Sequence, residues 1–254
     1  MSNEKIKRIE VHSLSKIFQI GYKKKDSALA KALSFFSGIE DTREHCVLND
    51  ISFQAYSGEI VGIIGRNGSG KSTLLRIIAG IFQPTSGFIK TEGSMMYLSG
   101  FGTGLKPKLT MRENIFLLGS IMGLRREDIM HQFQKIVDFS GLNEYIDTKV
   151  FQFSSGMTTR LNFSIAIHCI EHHNPEILLL DEVLGGGGDI DFQKQAADKM
   201  QECMRSGATV LLVSHNLKEI EKYCHRVLWL KNGTIIQSGN VGEVITAYRE
   251  NKHG

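Results

Sequence analysis

The sequence predicts an α/β fold: a largely parallel sheet covered by helices on both faces, with a helical subdomain inserted into it. Three observations carry this. The runs IVGII (60–64), ILLL (177–180) and TVLLV (209–213) are continuously apolar, as strands buried on both faces are. These runs alternate with segments of helical period, which makes the connections crossovers. Residues from about 105 to 165 carry helical patterns alone and interrupt that alternation. With 254 residues, 41% of them hydrophobic, the chain can bury one good core and a subdomain.

Each element follows in order. Residues 6–18 alternate loosely and predict a strand. Residues 20–46 break pattern: the basic run Lys23-Lys24-Lys25 leads into Leu29, Ala32, Leu33 and Phe36 at helical spacing. Residues 47–55 and 59–64 predict strands about a Ser57-Gly58 turn, followed by a glycine-rich loop and a helix to Ala79. Residues 87–98 hold short strands. Thr110-Met111-Arg112-Glu113 fits a capping box and opens a helix to about Gly123. Helices over 126–140 and 158–172 come next. Strand 177–180, helix 192–205, strand 209–213 and helix 218–224 then alternate. Strands 227–231 and 234–238 flank Asn232-Gly233, a hairpin dipeptide, and a helix over 241–250 follows.

Composition excludes several classes. A formal charge of +3 is too small to point to nucleic acid, and no nucleic-acid partner is expected. The start, MSNEKIKRIE, lacks the apolar centre of a secretory leader. No run of about 18 apolar residues exists, so work at a membrane would require spans from another chain. Cys46, Cys169, Cys203 and Cys224 show no CxxC spacing and are expected to be reduced core thiols of a cytoplasmic protein.

Three motifs carry chemistry. GRNGSGKST, residues 65–73, matches GxxxxGK[ST] and lies between a predicted strand and a predicted helix. Its backbone, from Gly65 through Asn67, Gly68, Ser69 and Gly70 to Thr73, can wrap phosphate and aim amides inward. The helix N-terminus adds partial positive charge. Lys71 can reach the terminal phosphates of ATP, and Ser72 can ligate Mg²⁺. A chance glycine turn would lack the flanking strand and helix. In ILLLDE, residues 177–182, a buried strand ends in two carboxylates: Asp181 suits Mg²⁺ held through its water shell, and Glu182 suits activation of the attacking water. In LLVSHN, residues 211–216, His215 ends another apolar strand on the edge where such sheets bind ligands, and is expected to contact the γ-phosphate. Together they specify an ATPase with a phosphate loop.

FSSGM, residues 153–157, leads directly into a helix upstream of Asp181. It resembles the signature motif of ATP-binding-cassette proteins, whose usual form is Leu-Ser-Gly-Gly-Gln. The resemblance covers almost the whole chain, with the motifs in the family's order. It implies a RecA-like core with an antiparallel β subdomain over about 1–98 and 166–254, a helical subdomain over about 99–165 and a variable insert at 20–46. It also implies that Ser154, Ser155, Gly156 and Met157 contact ATP bound to a second copy, so that one chain is half of a head-to-tail sandwich. By the same resemblance Phe18 stacks on adenine, and Asp189 belongs to an interface loop whose glycines 185–188 should make it unusually mobile.

The run Pro107-Lys108-Leu109-Thr110-Met111-Arg112-Glu113-Asn114-Ile115 and DEVLGGGGDIDFQ, residues 181–193, resemble one subfamily. Its members power export of O-antigen, capsule or teichoic acid. The resemblance is strongest to O-antigen exporters. It implies an integral membrane permease as partner and a peripheral place on the cytoplasmic face of the bacterial inner membrane. No C-terminal carbohydrate-binding domain is expected, because the sequence stops soon after Tyr248. The alternatives are a soluble cassette ATPase of translation or DNA repair, which usually has two cassettes or a long coiled coil, and a regulator without transport.

One departure stands out. The family's glutamine ahead of the helical subdomain is missing between Met95 and Lys108, and residues 99–102 are expected to fill its place without a nameable ligand. Two patterns carry less. His168-Cys169-Ile170-Glu171-His172 fits a zinc-protease pattern but reads as a polar helix end. The apolar stripe at 29–36 reads as a short helix facing either a membrane partner or the glycan-lipid entrance, the alternative being a loop that covers its own sheet. So short a helix is unstable alone and would order only against something.

Overall fold

The computed structural model describes residues 6–20, 43–100, 104–183 and 189–251. The basic run, the apolar stripe at 29–36, residues 101–103 and the four glycines 185–188 lie outside the described residues.

β1 (Lys7–Ile20) and β2 (Arg43–Tyr56) form a long antiparallel pair. Residues 43–46, which break pattern in the sequence, continue β2 by pairing with Ile17–Ile20. β3 (Ile60–Ile64) leads through the glycine-rich loop into α1 (Lys71–Ile78). β4 (Ser86–Thr91) joins β1 antiparallel, completing a three-stranded sheet in the order β2-β1-β4. β5 (Met95–Ser99) belongs to a second sheet.

α2 (Met111–Ile121) begins at the expected capping box: Thr110 Oγ1 accepts from the Glu113 amide, and Glu113 accepts from the Thr110 amide. α3 (Arg126–Ser140) packs beside it. α4 (Ser155–His173) starts three residues earlier than the sequence period predicts, because Ser154 Oγ accepts the Met157 amide and caps it. The remaining elements are β6 (Ile177–Asp181), α5 (Ile190–Arg205), β7 (Thr209–Val213), α6 (Leu217–Tyr223), β8 (Arg226–Lys231), β9 (Thr234–Gly239) and α7 (Val241–Glu250). Asn232 and Gly233 both take positive φ, 49° and 77°, and so form the two-residue turn that matches strand twist.

The second sheet runs β5-β6-β7-β3-β8-β9, parallel except for the β8–β9 hairpin. Every residue of β3, β6 and β7 is buried, which is why these strands read as unbroken apolar runs. One face packs with α1 and the three-stranded sheet, the other with α4 to α7. A separate apolar cluster lies among α2, α3 and α4. α4 serves both: Leu161, Ile165 and Cys169 enter the helical cluster, and Phe163, Ile167 and Ile170 the sheet core.

Cys169 and Cys203 are buried and Cys224 is half-buried, but Cys46 is exposed. It lies where β2 runs out beyond the core, so it is not the core thiol the sequence suggests. His168 is buried edge-on against Phe139, and its Nδ1 pairs with the Ser164 carbonyl at 2.7 Å. Glu171 pairs with Lys199, and His172 faces Asp128. Among the described residues no helix is long and apolar enough to cross a membrane.

Candidate active site

Strand register assembles the site. Ser99 pairs with Asp181, Asp181 with Val213, and Val213 with Ile63. The C-terminal ends of β5, β6, β7 and β3 therefore stop at one level, and residues far apart in sequence meet on one edge.

The loop after β3 requires glycine. A Cβ at Gly65 (φ 156°) would strike the Leu230 carbonyl, and one at Gly70 (φ 102°) would lie 2.6 Å from Leu48 and 2.8 Å from the Val47 carbonyl. Gly70 caps α1 and has no side chain to claim the first-turn amides, which suits them to an anion. Lys71 Nζ donates to the carbonyls of Gly65 (2.9 Å) and Arg66 (3.1 Å). Burial pushes its pKa below the ordinary lysine value, while the charges of Glu182 and Asp181 pull it back up.

Ser72 Oγ donates to Asp181 Oδ1 at 3.0 Å. Asp181 is 5% exposed. Two oxygens this close, one of them anionic, fit a hard divalent cation such as Mg²⁺. Glu182 follows in the left-handed region (φ 55°), uncommon for a residue with a side chain, and its amide donates to the Val213 carbonyl at 3.0 Å. Its carboxylate lies beside His215, whose Nδ1 donates to Oε2 at 2.5 Å. The loop, the two carboxylates and the histidine are thus brought together on this edge. Phe18 is elsewhere on β1, edge-on to Phe82 (5.6 Å), with Lys16 Nζ 4.9 Å from its ring centre. Two cavities beside the loop, about 590 and 390 Å³, are lined in part by Arg66, Asn67 and Tyr248, and Phe18 lines neither of these.

The signature residues form a cleft of about 430 Å³ with Thr159, Arg160 and Asp189. It shares no lining residue with either of these two cavities at the phosphate loop. Asp189 caps α5 by accepting the Phe192 amide at 2.8 Å, which holds its carboxyl below the ordinary aspartate range.

Two side chains escaped the sequence reading. Arg160 donates from Nε to the Ser140 carbonyl (2.8 Å) and from Nη1 to Asp189 (3.3 Å), with its guanidinium over Phe192. It joins α3, the signature helix and the loop before α5. Its spacing of one helical turn from Gly156 was the available signal. Tyr97 Oη donates to Asp181 Oδ2 at 3.2 Å. Its alternation with Ser99 on β5 was the signal there. Where the sequence lacks the expected glutamine, Ser99 lies level with Asp181, and the Gly100 amide donates to the Asp181 carbonyl (3.0 Å).

A phosphate loop facing paired carboxylates and a histidine on one sheet edge defines a P-loop ATPase. The sequence matches the ABC transporter family over residues 48–185. It is 40% identical over 208 residues to an O-antigen export system ATP-binding protein, RfbB, of Klebsiella pneumoniae, covering 82% of each chain. It is 38% identical over 229 residues to a teichoic acids export ATP-binding protein, TagH, of Bacillus anthracis, covering 90% of this chain and 41% of that one. The fold matches the ATP-binding subunit of an ABC transporter with TM-score 0.70 at 24% identity, covering 95% of this chain and 93% of that one. It also matches a dimeric ATP-binding cassette in a post-hydrolysis state, bound to ADP and phosphate, with TM-score 0.67 at 20% identity over 92% and 98% of the two chains. The chain belongs to the ABC transporter family, as one of its ATPases.

Proposed function

We propose that this chain is the ATP-hydrolysing subunit of an exporter that moves a lipid-linked polysaccharide, O-antigen foremost, across the bacterial inner membrane. The observation that carries the choice of cargo is the 40% identity, over 82% of both chains, to the RfbB protein. Likeness to the TagH protein supports teichoic acid as the second reading. A separate integral permease supplies the membrane path, and this subunit docks on its cytoplasmic face.

Two copies would bind two ATP head to tail. The separation of the signature cleft from the phosphate-loop cavities supports this, since each cleft then serves the other copy's nucleotide. Within one site, loop amides and Lys71 hold the phosphates. Glu182 takes the proton of the attacking water, and His215 orients Glu182 and meets the γ-phosphate. When bound, Mg²⁺ would neutralise charge on the terminal phosphates, with Ser72 and Asp181 as its holders. Ser154, Ser155, Gly156 and Met157 close on the partner copy's γ-phosphate, Asp189 carries the interface loop, and Phe18 stacks on adenine. The division into a core (about 1–98 and 166–254) and a helical subdomain (about 99–165), with α4 shared, belongs to the same proposal.

The test is genetic. Deleting the gene in its host should abolish surface O-antigen, and the wild-type gene should restore it while Glu182→Gln should not. Normal O-antigen in the deletion strain, with teichoic acid or capsule lost instead, would replace the cargo. Loss of none would overturn the export role.

A further inference from the structure

We infer that Tyr97 is a positioning residue for the metal-holding carboxylate: its hydroxyl fixes Asp181 so that one oxygen is presented to Ser72 and the phosphate loop. The inference rests on the metal site proposed above. Tyr97 is in register with Leu179, two residues before the Ser99–Asp181 pair, so its side chain shares a face with that of Asp181. From two residues away along the strands the long ring brings Oη to 3.2 Å from Oδ2. The ring packs on the core between the sheet and α1, which limits its rotation.

Asp181 is almost fully buried, so each of its oxygens needs a partner. Among the described residues, the side chains that donate to it are Ser72, on Oδ1, and Tyr97, on Oδ2. A hydroxyl carries one proton and two lone pairs, so Ser72 can turn a lone pair to a cation while still donating to Oδ1. Tyr97 holds the other oxygen, and the two contacts together keep the carboxylate from rotating. The tyrosine lies on the strand that leads to residues 99–102, where the sequence has no glutamine. This chain therefore controls its metal carboxylate from inside the sheet.

The experiment titrates a fluorescent ATP analogue into wild type and Tyr97→Phe, first in EDTA and then across a range of Mg²⁺. Outer partners of metal ligands typically contribute about 10–100-fold in metal affinity. Binding in EDTA should stay within about twofold, and the Mg²⁺ giving half-maximal tightening should rise about tenfold or more. In an Asp181→Asn background the same change should add nothing. An unchanged Mg²⁺ response, an equal loss with and without Mg²⁺, or a further loss in the Asp181→Asn background would each overturn the inference while leaving the metal site standing. Wild-type binding that ignores Mg²⁺ would overturn the metal site and the inference together.

Discussion

Replacing Lys71 with methionine isolates the phosphate role of its ammonium. Methionine keeps most of the side chain's length and apolar stem but removes the charge. In the structure the ammonium donates to two loop carbonyls at 2.9 and 3.1 Å, close to two carboxylates. A contact from such a group to phosphate is charge-assisted and contributes about 1.5–3 kcal/mol. At about 1.4 kcal/mol per tenfold, that is a rise in Kd of about 10- to 150-fold. Stability should change far less. The two carbonyls each lose a donor, at about 1 kcal/mol, but burying the charge is no longer required. Each kcal/mol moves Tm by only about 2–4 °C in a chain of this size. Calorimetric titration with Mg-ATP, beside a melting curve, reads both quantities. Unchanged affinity would refute the assignment of Lys71. Loss of binding accompanied by collapse of Tm would show that the lysine holds the loop together rather than the phosphate.

Three further outcomes are expected. Glu182→Gln should retain ATP binding, abolish turnover and accumulate an ATP-bound dimer on gel filtration, because it removes the proton acceptor and leaves the phosphate contacts in place; near-normal hydrolysis would remove Glu182 from its role. Asp189→Ala should lower Tm at neutral pH by uncapping α5 and freeing Arg160. Because its folded pKa lies below the ordinary value of 3.8, the contribution is full above that value and is lost as pH falls through the lowered one, so the Tm gap between variant and wild type should close in acid; a gap independent of pH would contradict the capping role. Burial pushes the thiols of Cys169 and Cys224 up to about 12 and that of Cys203 to about 11, whereas Cys46 is exposed. A thiol reagent at pH 8 should therefore label one cysteine quickly in the native protein and four after unfolding; rapid labelling of more than one native thiol would contradict that burial.

Much of this molecule is legible in its sequence, because the parallel strands declare themselves by unbroken burial and the phosphate loop by its glycines. The run 209–213 and the helix 126–140 are found with the bounds the sequence predicts. Boundaries fail where side-chain caps or pairing partners decide them. Ser154 starts α4 early, and the pairing with Ile17–Ile20 draws residues 43–46 into β2. The contacts of Tyr97 and Arg160 depend on register and helix packing. Asp181 receives its partners from residues 109 and 84 positions away, a proximity that only the assembled sheet creates. Cys46 shows the converse limit: a strand residue is core only where the sheet beneath it is covered.

The head-to-tail sandwich is tested most directly by mixing two inactive subunits. Ser154→Arg fills the signature cleft, and Lys71→Met disables the phosphate loop. A mixed dimer pairs the two lesions in one site and leaves the other site intact. If the signature acts on the partner's nucleotide, the mixture should recover a substantial part of the wild-type ATPase rate, although neither variant alone is active. If heterodimers form, as shown by co-purification through a tag on one subunit, and no activity returns, the signature does not act across the interface.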